Sequence, residues 1–193
     1  MNSALDPNED DEPRPNLALV IAGTSAVAVV SLLSLRWPAA IASTTLGALM
    51  IAGAEMDARA FLLPDHVTFG ASLAGLAAVA LLAAEDPLFA VVEAAVGALC
   101  VAGVFELVRR IFARLRGIEG LGLGDVKLAA ATGAWLPLEF APLCIILAAG
   151  AALVAVGLAR LRGVRVDAET RLPFGAYLCP ALWLAYFVSA LSA

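Results

Sequence analysis

Two aspartates carry the chemistry this sequence can offer: Asp57, in GAEMDARAFLLPDHVTFG, and Asp125, in GLGLGDVKL. Each stands at the end of an apolar run, where a charge at membrane depth costs about 2.5 to 3.5 kcal/mol and therefore points to function by default. Brought together in a poorly solvated place, two carboxylates cannot both ionise cheaply; one keeps a proton while the other stays charged. Such a pair can hydrolyse a peptide bond. The charged carboxylate draws a proton from water as it attacks the scissile carbonyl, and the protonated one polarises that carbonyl and then helps protonate the leaving amine. Neither a metal nor a cofactor is required. His66 is the only histidine, which leaves little for a His-rich metal site or a Ser/His/Asp triad. Cys100, Cys144 and Cys179 are single, distant and set in apolar runs, so they form no CxxC pair, zinc site or disulfide framework. A plainer reading of the second aspartate stays open at this point. Gly117, Gly120, Gly122 and Gly124 loosen the approach to a helix and let backbones come close, and an acid after such a loop is more often a helix cap than a catalyst.

The medium follows from composition. Of 193 residues, 62% are hydrophobic and 15% charged, with a mean hydropathy of +0.94. A water-soluble domain cannot carry that balance, so the chain is read as an integral membrane protein of the all-α class, a polytopic helical bundle. Spanning about 30 Å of hydrocarbon takes roughly 20 apolar residues. Seven runs fit or nearly fit: 16–35, 38–56, 66–84, 88–112, 126–138, 141–159 and 173–191. The fifth is short and is retained because deleting it would put neighbouring basic loops on opposite faces. Five of the 17 acidic residues fall in the first twelve positions, so residues 1–15 read as an acidic, solvated, disordered tail ahead of one transmembrane domain, 16–193. That tail has neither the basic start nor the cleavage site of a signal peptide, and the first apolar run reads as a retained helix.

With seven spans and a cytoplasmic N-terminus, eleven of the twelve basic residues gather on one face, leaving only Arg36 outside. Since Lys and Arg accumulate in cytoplasmic loops, the C-terminus is expected outside and both aspartates at the cytoplasmic rim. Packing the second helix on the fifth would set the two carboxylates face to face. A small ion- or proton-coupled transporter is the alternative from another class, but it would place its acids near mid-membrane and show a repeat, and this chain does neither.

The segment GIEGLGLGDVKLAAATGAWL resembles the GxGD signature of prepilin peptidases, the type IV leader peptidases, within the wider class of GxGD aspartic membrane proteases. DARAFLLPD, from Asp57 to Asp65, is similar to that family's other motif, an aspartate followed after six residues by Pro and Asp. LPFGAYLCPALW, from Leu172 to Trp183, resembles the Pro-Phe-Gly segment opening its last helix. The resemblance implies that Asp57 and Asp125 are the catalytic pair and Asp65 a non-catalytic acid, capping the third helix beside Pro64 and His66. Gly122, Gly124, Lys127, Glu119, Pro173, Phe174 and Gly175 are supporting positions. It implies removal of the short basic leader from prepilins or pseudopilins, after a glycine, in the bacterial cytoplasmic membrane with the site facing the cytoplasm. Another GxGD protease with different substrates is the alternative within the enzyme class. Longer members carry two CxxC pairs and methylate the new N-terminus using S-adenosylmethionine; this chain resembles the shorter members, and methyl transfer is not expected of it. Lipids are expected partners and nucleic acids are not.

Other charges have local readings. Lys127 either acts on Asp125, fixes another carboxylate near the pair, or snorkels to the surface. Glu55, two residues before Asp57, faces another side of its helix and reads as an interface residue. Glu119 serves as a loop acid bonded to backbone or as a site residue. Glu93, inside the fourth span, is expected to be buried in a polar pair, with a substrate contact as the alternative. Glu106 has helix spacing to Arg109 and Arg110 for a local ion pair. The arginines from Arg109 to Arg116 and from Arg160 to Arg171 mark topology and suit anionic headgroups.

Overall fold

The computed structural model describes residues 15–117, 120–163 and 172–192. Glu119 and nearly all of the expected acidic tail, residues 1–14, lie outside the described residues. The described chain is all-α, with seven helices: α1 (Leu17–Ser34), α2 (Trp37–Ala60), α3 (Asp65–Leu82), α4 (Pro87–Arg116), α5 (Leu123–Trp135), α6 (Ala141–Leu161) and α7 (Phe174–Ser192). Local chemistry sets their ends. Asn16 caps α1 by accepting from the backbone N–H groups of Ala18 and Leu19, and Asp86 caps α4 by accepting from that of Phe89. Prolines sit in the first turns of α2, α4 and α6, where their missing N–H costs nothing. Gly117 closes α4 at φ +71°, a left-handed conformation that glycine adopts without strain. Phe61 closes α2 at φ +52°, which a side chain resists by roughly 1–2 kcal/mol. That turn sends the chain back toward the bundle through Leu63, which is buried.

Six helices, all but α5, are long and apolar enough to cross a membrane. Their outward faces carry large apolar side chains, among them Leu33, Leu81, Leu99 and Leu153, so the bundle is greasy outside as well as within. It is a multi-pass membrane protein. The interior is built of small residues and a few leucines: Leu46, Leu128, Leu178 and Leu182 are fully buried. Small residues let helices approach where lipid offers no hydrophobic drive to pack. Between α4 and α5, a Cβ at Gly97 would stand 2.7 Å from the Gly133 carbonyl oxygen, and one at Gly133 would overlap Gly97.

The short fifth helix is the most enclosed. Its 13 residues rise about 20 Å, less than the hydrocarbon thickness, yet most of its side chains are buried. It packs against α3, α4 and α7, and touches α6 lightly. Trp135 fastens its far end, donating to the Ala71 carbonyl of α3 at 2.7 Å and meeting the ring of Tyr186 on α7 edge-on. α1 packs on α2, where Ser31 and Ser43 share a buried hydrogen bond of 2.9 Å, and the indole N–H of Trp183 on α7 also donates to Ser43.

Two expectations change. The direct packing of α2 on α5 is not a principal contact; α7 and α3 lie against both and join them. Glu93 is exposed rather than buried in a pair, because its turn of α4 faces outward over a groove beside Phe89 and Leu138. The Glu106 pairing holds, with Oε2 accepting from Arg109 Nε at 2.8 Å and Oε1 from Arg110 Nε at 2.6 Å.

Candidate active site

Asp57 and Asp125 are the only charged side chains buried in the described residues, at 6% and 8% exposure. Burying a carboxylate with no cation is costly unless hydrogen bonds receive it, and backbone amides do so here. Asp57 lies in the last turn of α2, which runs four residues past the expected end of the span at Met56. Its Oδ2 accepts from the Ala176 backbone N–H at 2.8 Å, in the first turn of α7. Asp125 lies in the first turn of α5, with Gly122 as N-cap, and its Oδ2 accepts from the Gly122 N–H at 3.1 Å. The backbone N–H of Gly175 interacts with both carboxylates, and the two carboxylates act on each other electrostatically. Thus the N-terminus of α7, a place of free N–H groups and positive dipole, is where the two acids converge.

The surroundings of Asp125 go beyond those of a helix cap. Its carboxylate does close the reciprocal half of a capping box, yet it is buried beside a second acid from another helix, which a cap does not require.

A side chain would be crowded at two of the neighbouring positions. A Cβ on Gly175 would stand 2.9 Å from Asp57 Oδ2 and 2.5 Å from Leu63 Cδ1; one on Gly124 would stand 2.9 Å from Leu63 Cβ. Leu63 therefore fills the space that both glycines vacate, and a Cβ added to Gly53 on α2 would stand 3.5 Å from Leu63 Cδ2. Leu63 was not singled out from sequence. The signal available was an apolar residue just before Pro64 in a segment bracketed by two acids. Phe174 anchors the start of α7 against Phe105 of α4, with ring centroids 6.2 Å apart, and Pro173 precedes it in partly buried surroundings. One turn further, Pro180 leaves the Ala176 carbonyl without its helical N–H donor.

Lys127 does not contact either buried acid. Its Nζ pairs with Asp65 and lies 5.2 Å from the Phe69 ring centre, tying α5 to α3. Of the roles foreseen for it, the ion pair is made with Asp65 and not with Asp125. Asp65 is accordingly not a cap: Pro64 is the N-cap residue of α3, no side chain caps it, and Asp65 is its first helical residue with its carboxylate turned to Lys127. Glu55 pairs with Arg59 one turn along α2, while its other oxygen is buried without a partner. His66 is exposed in the first turn of α3.

Residues 44–158 match the type IV leader peptidase family. The chain belongs to that family. The matched stretch holds both Asp57 and Asp125; Pro173, Phe174 and Gly175 lie beyond it. Relatives include the prepilin leader peptidase/N-methyltransferase of Burkholderia pseudomallei, 38% identical over 143 residues, which are 72% of this chain and 44% of that one. A protein of the same description from Aeromonas hydrophila is 32% identical over 161 residues, 83% of this chain and 53% of that one. Leader peptidase HopD of Escherichia coli is 36% identical over 125 residues, 65% of this chain and 78% of its own length. The chain thus spans about half the length of the prepilin leader peptidase/N-methyltransferases it matches. No solved structure matches it.

Proposed function

We propose that this protein is an aspartic endopeptidase of bacterial inner membranes that removes the short basic leader of prepilins or pseudopilins, with Asp57 and Asp125 as its catalytic pair. The observation that carries the reading is the convergence, on the first amides of α7, of the only two carboxylates buried among the described residues. In the reaction, a water held between the carboxylates gives a proton to the charged one as its oxygen attacks the scissile carbonyl. The protonated partner hydrogen-bonds the carbonyl oxygen as charge develops there, and a proton then passes to the amine as the C–N bond breaks. Water is consumed and the leader carboxylate and a free N-terminus result, with no net change in the enzyme.

The placement at helix ends fits a substrate whose leader stays in the cytoplasm while its hydrophobic helix lies in the bilayer, with the cut after a glycine between them. The basic residues Arg59, Arg110, Arg114, Arg116 and Lys127, on the same side as the acids by the charge count, support a cytoplasmic site. The test is direct: purified protein in detergent is incubated with a prepilin carrying a glycine before its hydrophobic helix. Leader removal is expected for the wild type and for chelator-treated enzyme. Cleavage that persists in Asp57→Asn or Asp125→Asn protein overturns the assignment of the pair.

A further inference from the structure

The far end of the bundle, away from the aspartates, holds a second site. α2 begins there, and α3, α5 and α7 finish there. Because α5 stops at Trp135 after about 20 Å, its neighbours run on past it and leave a cavity of about 530 Å³. Its chemistry is one-sided. Arg36, Trp37, Tyr186 and Ser189 line it, and among the described residues no carboxylate does. Tyr186 is nine-tenths buried, with 9% exposure, and its ring is pinned on Trp135 at 5.1 Å, yet its hydroxyl has no hydrogen-bond partner among the described residues and is not sealed off. Buried phenol groups usually find a partner, so one that opens on a cavity is aimed at an occupant. Ser189 and Arg36 likewise make no hydrogen bond or ion pair among the described residues. α2 starts beside them with no side-chain cap on its first N–H groups.

Free donors, a fixed positive charge and an uncapped helix start select an anion with several acceptor oxygens. The remaining wall, Leu82 with Pro137 and Ala190, is apolar and selects a hydrocarbon portion on the same molecule. We propose that this cavity binds a glycerophospholipid, its phosphate held by Arg36 and Tyr186 with Ser189 and its acyl chain lying along Leu82. The lipid completes the part of the bundle that α5 is too short to fill, and Arg36, the one basic residue at this end by the charge count, is the residue that recognises it.

The full chain in detergent, stripped of lipid, is titrated with dioctanoyl phosphatidylglycerol and followed by native mass spectrometry and thermal unfolding. Dioctanoylglycerol, which lacks the phosphate, and inorganic phosphate, which lacks the chains, are run beside it. One saturable lipid per chain that raises the unfolding temperature is expected, with little effect of either control. Arg36→Gln weakens that binding about tenfold and Tyr186→Phe about threefold, as the loss of a charged and a neutral hydrogen bond predicts. Tyr186→Phe keeps the ring against Trp135, so its lipid-free unfolding temperature stays that of the wild type. Equal affinity in both variants, equal binding of dioctanoylglycerol, or saturation of the site by phosphate alone overturns the proposal.

Discussion

The two aspartates are buried to nearly the same degree but are held in different ways. Asp57 ends a 24-residue helix and is received by the amides of a helix that is 119 residues away in sequence. Asp125 begins a 13-residue helix and is received by Gly122, three residues before it. One carboxylate depends on tertiary packing and the other carries its own local support, with the Gly175 amide shared between them. The contrast is one of assembly: the Asp125 carboxylate is held within its own helix start, and the Asp57 carboxylate is held by α7.

The largest effects come from removing the acids. Asp57→Asn and Asp125→Asn are each expected to lower leader cleavage by about a thousandfold or more, within the range that a positioned acid or base supplies. Their stabilities separate them. An asparagine at position 125 still offers an oxygen to the Gly122 N–H and keeps the start of α5, so its unfolding temperature stays close to the wild type. An alanine there loses the hydrogen bond as well as the acid, and unfolds at lower temperature. Thermal unfolding beside the cleavage assay checks both; equal destabilisation by Asn and Ala at 125 would show that the local bond contributes nothing.

The next effect tests the tertiary half. Gly175→Ala puts a methyl 2.9 Å from Asp57 Oδ2 and on Leu63 Cδ1, so either α7 or the carboxylate must move. A displacement of about 1 Å at reacting groups costs on the order of a hundredfold in rate, and that loss is expected here. Trimming Leu63 to alanine by itself empties the socket between α2, α5 and α7, and is expected to cost about tenfold in cleavage and to lower the unfolding temperature. The two changes combined discriminate between the neighbours of Gly175. Leu63→Ala relieves one crowded contact but leaves the carboxylate, so the double variant stays as inactive as Gly175→Ala. Recovery of activity in the double variant would mean that Leu63, and not Asp57, is what excludes a side chain at 175.

The sequence made the membrane setting and most helix bounds legible because both rest on long apolar runs, where one or two residues do not alter the sum. Asp57 and Asp125 were legible because a charge beside such a run stands out. What joined them was not. Nothing in the periodicity of α2 or α5 reports that α7 lies between them, since hydrophobic faces turn to lipid as readily as to a neighbouring helix. The groups that receive the Asp57 carboxylate are the N–H donors of Gly175 and Ala176, and every residue but proline has one; only the missing Cβ at 175 distinguishes that place. Asp65 was misread as a cap for a related reason. An acid next to a helix start has the composition of a cap whichever way it turns, and its partner, Lys127, is 62 residues away. Glu93 was misplaced because an acid within a span was assumed to face inward, whereas α4 turns that position outward near its start.

The smallest effect belongs to that Lys127 and Asp65 pair, and it asks whether α3 shares in the work of the site. Lys127 is adjacent in sequence to the first turn that holds Asp125, yet its charge is directed across to α3 and over Phe69, and Asp65 is largely exposed. Exposed ion pairs contribute at most about 1 kcal/mol after screening, and an ammonium near a phenyl ring adds a similar small amount when solvated. Lys127→Met, which keeps the apolar stem, is therefore expected to retain cleavage within about fivefold of the wild type, and Asp65→Asn to match it. Because both changes remove the same interaction, the double variant should be no worse than either one, whereas independent roles would multiply. A hundredfold loss on Lys127→Met with Asp65→Asn unaffected would move the lysine from the tie between helices into the reacting set, and would require it to leave Asp65 when substrate is bound.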